Sequence, residues 1–187
     1  TADSVIIASP ARASAHLLNS LNEDAAILLG STTHASVVMA TIKTVETDLP
    51  KLAGLSGYLV PKPDQDRVTA ASFGSNKWEH WKPSDGSMIL RVSLGRDGAP
   101  TQDLIHEWDD ERIVRQVVDE VSRHTQTSLT PDSFRVTRWP EAFPQYRPGH
   151  MRHVESVESA LTQHSPGIFV TGASWRGIGI PACVAQA

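Results

Sequence analysis

The sequence predicts an α+β fold in which a mainly antiparallel sheet carries helices on one face, with short strand and helix pieces added at both ends of the chain. Three observations predict this class. Runs rich in β-branched residues recur between residues 34 and 94 and are joined by polar loops that contain proline. The segment WDDERIVRQVVDEVSRH, at 108–124, changes to a helical period. Each end of the chain places a short apolar strand before a helix start.

The N-terminal half supplies most of the expected sheet. A short apolar strand over residues 5–8 precedes Pro10, and proline is favoured at helix starts; Ala11, Ala15 and Leu18 then fall on one helical face. A second short helix is expected at about 23–29. Strands are expected at 34–44, where β-branched residues dominate, and at 58–60, 67–74 and 88–94. Because polar loops join the last three strands, we expect an antiparallel meander.

The C-terminal half begins with the clearest helix. Asp109 or Asp110 provides an N-cap, and one face of the helix is apolar, at Ile113, Val114, Val117, Val118 and Val121. A strand at 134–139 follows, and then a helix at 151–163 with three apolar residues inward, Val154, Val157 and Leu161. The last strand is expected at 168–171, before a helix opened by Pro181.

Composition excludes several classes of protein. The net charge of −4, the pI near 6.0 and the scattered placement of the 17 Lys and Arg residues argue against a nucleic-acid partner. Neither an apolar run of membrane-spanning length nor a signal peptide is present. The single cysteine, Cys183, fits a reducing compartment, so we expect a cytoplasmic protein, with peripheral contact at the membrane as the alternative. The chain opens on Thr1 and almost at once on an apolar run, which is typical of a start inside a longer polypeptide.

The last residues carry a glycine-rich strand, turn and helix start. Gly177 and Gly179 lack side chains where a backbone would approach a planar ligand, and a helix N-terminus beyond them presents free N–H groups and a positive dipole end. Such a site would favour a planar ligand that carries negative charge. A flexible C-terminal turn with no ligand explains the same glycines, and the residues alone leave both interpretations open.

Several segments together resemble the bacterial protoporphyrinogen and coproporphyrinogen oxidases. The most specific are WPEAFPQYRPGH at 139–150 and GIGIPAC at 177–183, with GIFVTG at 167–172 before the second. Weaker matches are ADSVIIASPA at 2–11, GYLVP at 57–61, SFGSNKW at 72–78 and ILRVSLG at 89–95. The resemblance covers nearly the whole chain in the family's order, but the family's GxGxxG fingerprint, which lies near its N-terminus, is not found here.

The resemblance implies an FAD-dependent enzyme that dehydrogenates protoporphyrinogen IX or coproporphyrinogen III to the porphyrin, with oxygen as acceptor, in heme biosynthesis. It implies a C-terminal fragment whose partner is the missing N-terminal FAD-binding half. Residues 1–20 and 141–187 would then be pieces of a Rossmann-like FAD-binding domain, and residues 21–140 the second half of the substrate-binding domain. The chain alone is expected to be inactive.

The resemblance also implies cofactor- and substrate-binding residues, and it assigns no catalytic residue. Contacts with FAD are expected from six residues: Trp139, Gly177, Ile178, Gly179, Ile180 and Pro181. The tetrapyrrole is expected to lie against four others: Leu59, Ser72, Arg91 and Ser93. The two serines favour a roomier or more polar pocket than the protoporphyrinogen type, and Arg91 is a candidate partner for a propionate. The family usually has an acidic residue where this chain has Ala182, so a weaker helix cap is expected.

Other functions have less support. A different flavin amine-oxidase-like protein, such as a carotenoid desaturase, and a binding domain without the flavin half remain as alternatives. The eight histidines show no HxxxH or HxH spacing, so no metal site is expected, and no G-x-S-x-G elbow indicates a hydrolase. The resemblance places Trp139 and Tyr146 near the cofactor or substrate, and aromatics that fill the seam between domains are the alternative. His150 is expected to act as an N-cap or as a hydrogen-bonding residue at the domain junction. The loop SNKWEHWKP, at 75–83, is read as a hairpin loop resting on the sheet, with a ligand platform as the alternative.

Overall fold

A computed structural model of the protein describes residues 2–45, 52, 54–99 and 101–186, with Gln102 described by its backbone alone. The strands are β1 (Val5–Ile7), β2 (His34–Thr44), β3 (Gly57–Leu59), β4 (Val68–Phe73), β5 (Met88–Leu94), β6 (Pro131–Pro144) and β7 (Ile168–Val170). The helices are α1 (Ala11–Leu18), α2 (Glu23–Gly30), α3 (Gly74–Lys77), α4 (Gln102–His106), α5 (Asp110–Thr125), α6 (His150–His164) and α7 (Ile180–Gln186). Single 3-10 turns lie at Lys62–Asp64 and Glu79–Trp81.

The predicted α+β class is confirmed, and so are most of the predicted elements. The bounds of β2 and β5 are those that the β-branched runs predict. The N-cap of α5 is Asp109, whose side chain accepts a hydrogen bond from the backbone N–H of Arg112 at 2.7 Å. The short helices α3 and α4 were not predicted, since four or five residues hold too little of a helical period to be recognised.

The described residues divide into two compact units, which are residues 36–141 and residues 1–35 with 142–187. The first unit is built on a five-stranded sheet in the order β3-β4-β5-β2-β6. The pairs β3–β4, β4–β5 and β5–β2 are antiparallel, as the predicted meander requires. One face of the sheet packs on α5, where the side chains of Ile113, Val117 and Val121 are fully buried. Alternate residues of β2 and β5 fill the same core, because successive strand side chains point to opposite faces.

Strand β6 is longer than the predicted strand at 134–139 and runs from Pro131 through Pro140 to Pro144. Its place at the edge of the sheet explains how it tolerates proline. A proline cannot donate to a strand ladder, so prolines in strands are confined to edges, bulges and strand starts. Sequence reasoning ended the strand at the residue before Pro140 because it did not know the strand's position in the sheet.

The second unit contains both ends of the chain. Strands β1 and β7 pair in parallel, with Ile6 opposite Phe169. Helices α1, α2 and α6 pack together through Leu18, Leu29 and Val157. Because α2 packs on α1 and α6, the first boundary between the units falls after residue 35, and the second falls after residue 141. The predicted assignment to domains, with boundaries after residues 20 and 140, stays a prediction.

Across the described part of the chain, none of the helices has both the length and the apolar character needed to cross a bilayer.

Candidate functional site

The face of the five-stranded sheet opposite α5 carries two rows of side chains in register. In one row Leu59 lies opposite Ala70, Ala70 opposite Ser93, and Ser93 opposite Met39. In the other row Gly57, Ser72, Arg91 and Thr41 lie opposite one another in the same way. Directly opposed residues share a face. All four predicted substrate-binding residues therefore lie on one face, although they come from three different strands.

These rows form the floor of a cleft of about 800 Å³, within the usual range for small-molecule sites. The lining mixes apolar, hydroxyl and cationic side chains and contains no acidic residue among those described. Residues from β2, β3, β4 and β5 and from the β4–β5 connection line it, among them Met39, Leu59, Ser72, Lys77, Trp78, Trp81, Arg91 and Ser93. Leu59, Ser72, Arg91 and Ser93 were predicted for this role from the sequence, and the structure brings them together.

One end of the cleft is walled by the connection between β4 and β5, which contains α3 and the turn at Glu79–Trp81. The ring of Trp81 lies directly on the backbone of Gly74, where an added Cβ would come within 2.2 Å of the ring. The hydroxyl of Ser75 donates to the carbonyl of Trp81 at 3.1 Å and accepts from the N–H of Ile89 at 2.9 Å. This segment is the hairpin loop that the sequence predicts, and Trp78 and Trp81 also line the cleft.

Trp139, predicted to contact the cofactor, lies on β6. Val136 packs into the core beside α5, and Arg138 donates to the Asp110 carboxylate at 2.6 Å and to the carbonyl of Trp108 at 2.7 Å. The alternation of side chains along a strand therefore directs Trp139 to the opposite face, where half of its surface is exposed. Trp139 is not among the residues that line the cleft.

The other five predicted cofactor residues, Gly177–Pro181, lie together in the second unit, at the end of the turn after β7 and in the first two residues of α7. Gly177 has φ +143°, and an added Cβ would lie 2.5 Å from the Cβ of Ala182, so α7 itself requires glycine there. Gly179 differs, because the nearest atom to an added Cβ is Cδ of Pro181, at 3.8 Å. Nothing described in the protein requires a glycine at position 179. The adjacent Ile180 side chain is 81% exposed, which leaves an apolar surface beside the open glycine.

Two stacked rings hold the turn that leads to this glycine pair. The rings of Tyr146 and His150 lie 3.8 Å apart and 10° from parallel. The Tyr146 hydroxyl donates to the carbonyl of Ala173 at 2.7 Å and accepts from the N–H of Gly177 at 2.9 Å. His150 Nε2 donates to the carbonyl of Trp175 at 2.6 Å. Burial raises the pKa of Tyr146 above its ordinary value, so the phenol, which is protonated at neutral pH in any case, keeps its donor to higher pH.

Trp175 and Arg176 also fix the conformation of this turn. Trp175 is almost fully buried, and its indole N–H donates to the carbonyl of Thr171 at 2.8 Å. Arg176 forms a two-pronged ion pair with Glu158 of α6, with one nitrogen–oxygen distance of 2.8 Å. The backbone from Ala173 to Gly177 is therefore fixed by side chains from α6 and the segment before it, which suits a rigid binding surface.

Among the cleft residues that sequence reasoning did not assign to a binding site are Lys77, Trp78 and Trp81. All three lie in the loop that was read mainly as structural, and their place in the cleft depends on α3, which no periodic pattern revealed. The two tryptophans and two lysines of SNKWEHWKP were the available signal. In the described ranges no three His, Cys, Asp or Glu residues come together as a metal site would require.

Comparison with known proteins places the whole chain, residues 1–187, in alignment with the flavin containing amine oxidoreductase family. It is 30% identical over 185 residues to a coproporphyrinogen III oxidase from Bacillus subtilis, covering 99% of this chain and 38% of that protein. It is 27% identical to the human protoporphyrinogen oxidase, covering 98% of this chain and 38% of that protein.

A solved structure of similar fold comes from Exiguobacterium sp. 255-15, a protein provisionally named a protoporphyrinogen oxidase. The TM-score is 0.81 at 26% identity, over 98% of this chain and 39% of the other. The chain thus spans about two-fifths of the length of the relatives it matches.

Proposed function

Since the chain belongs to the flavin containing amine oxidoreductase family, we propose that it is part of an FAD-dependent oxidase that converts a porphyrinogen to the porphyrin in heme biosynthesis. The observation that carries this proposal is the cleft on the bare face of the sheet, where Leu59, Ser72, Arg91 and Ser93 meet. The relatives named coproporphyrinogen III oxidase and protoporphyrinogen oxidase support the same substrate class.

The flavin contact is proposed for Gly177–Pro181, with Trp139 as a further contact. Gly179 supports this flavin contact. An added Cβ at Gly179 would not be crowded by the described protein, so the protein's own packing does not explain the glycine. A planar group outside the chain that approaches the backbone closely does explain it. A flavin ring at this position would also bury part of the exposed apolar side chain of Ile180. These residues fit one edge of the flavin ring. The bound flavin supplies the redox chemistry by accepting electrons from the substrate.

Coproporphyrinogen III is the proposed substrate in preference to protoporphyrinogen IX. The cleft has hydroxyl groups at Ser72 and Ser93 where a wholly apolar site would have hydrocarbon, and Arg91 offers a guanidinium that pairs well with carboxylates. A polyene, the substrate of a carotenoid desaturase, has no group to match a cation, and burying an unpaired cation against hydrocarbon is costly. The cleft therefore favours a carboxylated tetrapyrrole.

The proposal includes three partners or settings beyond the chain's own residues. Oxygen is the proposed electron acceptor. The cytoplasm is the proposed compartment, and peripheral contact with the membrane is the alternative. A further polypeptide segment is proposed to supply the rest of the flavin site. The exposed apolar side chains of the parallel pair support that segment, since Ile6 is 65% and Phe169 56% exposed. Parallel sheets are normally covered on both faces, so a surface of this kind calls for a covering layer.

The test is reconstitution. The chain would be purified alone and after co-expression with the part of the Bacillus subtilis relative that precedes the aligned region, and each absorbance spectrum would be recorded. We expect flavin absorbance only in the co-expressed sample. That sample should oxidise coproporphyrinogen III, followed by porphyrin fluorescence and by hydrogen peroxide formation, and protoporphyrinogen IX more slowly.

Two results would contradict the proposal. Stoichiometric flavin on the 187-residue chain alone would show that no further segment is needed for the flavin site. A flavin-loaded complex that leaves both porphyrinogens unchanged would remove the substrate assignment.

A further inference from the structure

Lys77 ends α3 at the rim of the cleft and has no anionic partner among the residues that the structure describes. Its Nζ donates to the hydroxyl of Ser72 at 3.4 Å, which is long for a hydrogen bond. An ammonium has three donors, so one weak contact with a neutral hydroxyl leaves most of its hydrogen-bonding capacity to the surroundings. The amine is therefore held over Ser72 without being neutralised.

Arg91 reaches the same place from the neighbouring strand. It lies directly opposite Ser72 in the antiparallel pair, and opposed residues of this kind have Cβ atoms about 5 Å apart. Its guanidinium lies over the ring of Trp81, 5.7 Å from the ring centroid. Within the described ranges no carboxylate forms an ion pair with Arg91. Ser72 thus has a lysine on one side and an arginine on the other.

Three other cations of the same unit form ion pairs instead. Lys43 lies 2.6 Å from Asp85, Lys82 lies 2.6 Å from Glu79, and Arg138 lies 2.6 Å from Asp110. The protein as a whole has a net charge of −4. Two adjacent cations without carboxylates, in a cleft whose described lining has no acidic residue, create a local positive potential that an anionic ligand would satisfy.

We propose that Lys77 and Arg91 form a carboxylate-binding pair that recognises propionate side chains of the tetrapyrrole and selects a substrate with four carboxylates over one with two. The tetrapyrrole identity rests on the proposed function; the preference for a carboxylate rests on the two unpaired cations. Arg91 binds a carboxylate through two parallel N–H groups, and Lys77 acts as a point charge beside it. Trp78 and Trp81 supply flat apolar surface next to the pair.

The test is a binding experiment that needs no redox chemistry. Coproporphyrin III, with four carboxylates, and mesoporphyrin IX, with two, are titrated with the protein, and binding is followed by porphyrin fluorescence anisotropy. The variants are Lys77→Met and Arg91→Gln, which remove the charge but keep most of the length. The control is Lys82→Met, which removes a cation of the same loop that is paired with Glu79 outside the cleft lining.

Wild type is expected to bind coproporphyrin III more tightly than mesoporphyrin IX. Each cleft variant should weaken coproporphyrin III binding by at least about tenfold, the size of one charge-assisted hydrogen bond, and mesoporphyrin IX binding by less. Lys82→Met should change neither. Higher salt should weaken wild-type binding more than that of the variants, because the interaction is between charges.

The inference is overturned if wild type binds neither porphyrin, if the cleft variants bind like wild type, if both porphyrins are weakened equally, or if Lys82→Met has the same effect. Its failure is separable from that of the proposed function. Selective loss of binding in a protein that oxidises no porphyrinogen supports the carboxylate pair and contradicts the oxidase. If Lys77→Met and Arg91→Gln oxidise porphyrinogens as fast as wild type, the oxidase is supported and the carboxylate-binding pair is contradicted.

Discussion

Glu120 is a buried acidic residue on the apolar face of α5, and removing it should destabilise the strand that carries Ser72. Its side-chain oxygens accept hydrogen bonds from the backbone N–H of Val68 at 2.9 Å and of Arg67 at 3.2 Å. They also accept from the side-chain amide of Gln116 at 2.8 Å. The side chain has no solvent exposure. Glu120 therefore accepts hydrogen bonds from the first backbone N–H of β4 and from the residue before it, and so links that strand to the helix.

The cost of Glu120→Ala follows from the donors that lose an acceptor. A buried polar group left without a partner costs about 1 to 3 kcal/mol, and two backbone N–H groups are affected. Relief from burying the carboxyl group offsets part of this loss. We expect the free energy of unfolding to fall by about 3 kcal/mol. Glu120→Gln, which keeps one carbonyl acceptor but turns an N–H group towards other donors, should cost about 1 to 2 kcal/mol.

The assay is urea unfolding followed by tryptophan fluorescence, with Trp108 as a reporter that packs against the core of this unit. The matched control is Asp119→Ala, which removes an exposed carboxylate one position earlier on the same helix. Surface substitutions of that kind usually change stability by less than about 0.5 kcal/mol. If Glu120→Ala were as mild as the control, the bonds from Glu120 to β4 could not be holding the strand.

Three more predictions concern the core, the flavin edge and pH. Val117→Asp should lower the free energy of unfolding by several kcal/mol relative to Val117→Ala, because it buries an unpaired charge, and equal melting temperatures would place α5 outside the core. Gly179→Val should leave the circular dichroism and melting of the chain unchanged yet reduce flavin retention in the reconstituted protein, and retention at the wild-type level would exclude close flavin approach there. Burial, with a smaller effect from His150, lowers the pKa of His153 below its usual 6.5, so its contribution to stability is present above that pH and is lost as the pH falls through the lowered value. His153→Gln should therefore flatten the decline in stability on acidification, measured by urea unfolding at a series of pH values, and an unchanged decline would contradict this.

Periodic sequence patterns predict which segments form the strands of the sheet, but they do not predict which residues of neighbouring strands lie opposite each other. In β5 the alternation of Leu90 and Val92 with Arg91 and Ser93 marks a strand with one buried face, and its bounds follow from sequence. Which strands lie beside it, and which residues lie opposite each other, depends on loop geometry that composition does not reveal. The resemblance named four residues that line the cleft, whereas only the strand pairing shows that they share a face.

Glu120 shows why sequence patterns do not predict contacts between residues that are distant in the chain. It falls on the buried face of α5, three residues after Val117, yet a charged residue on a helix is normally read as solvent-facing. Its role depends on two backbone donors from a strand more than 50 positions earlier in the chain, which no local pattern can indicate. The same applies to Lys77, whose place above Ser72 follows from a four-residue helix.

The contacts of Glu120 also bear on which side chains enter the cleft. Strand β4 contains one extra residue: Val68 lies opposite Leu94, but Ala70 and not Thr69 lies opposite Ser93. Without that bulge the period of two would turn Ser72 into the core and direct Phe73, now 1% exposed, into the cleft. Glu120 holds the backbone of Arg67 and Val68 immediately before the bulge. A buried residue on the far side of the sheet therefore lies next to the bulge that decides whether a hydroxyl or an aromatic ring faces the cleft. The stability of this unit and the lining of its cleft depend on the same register.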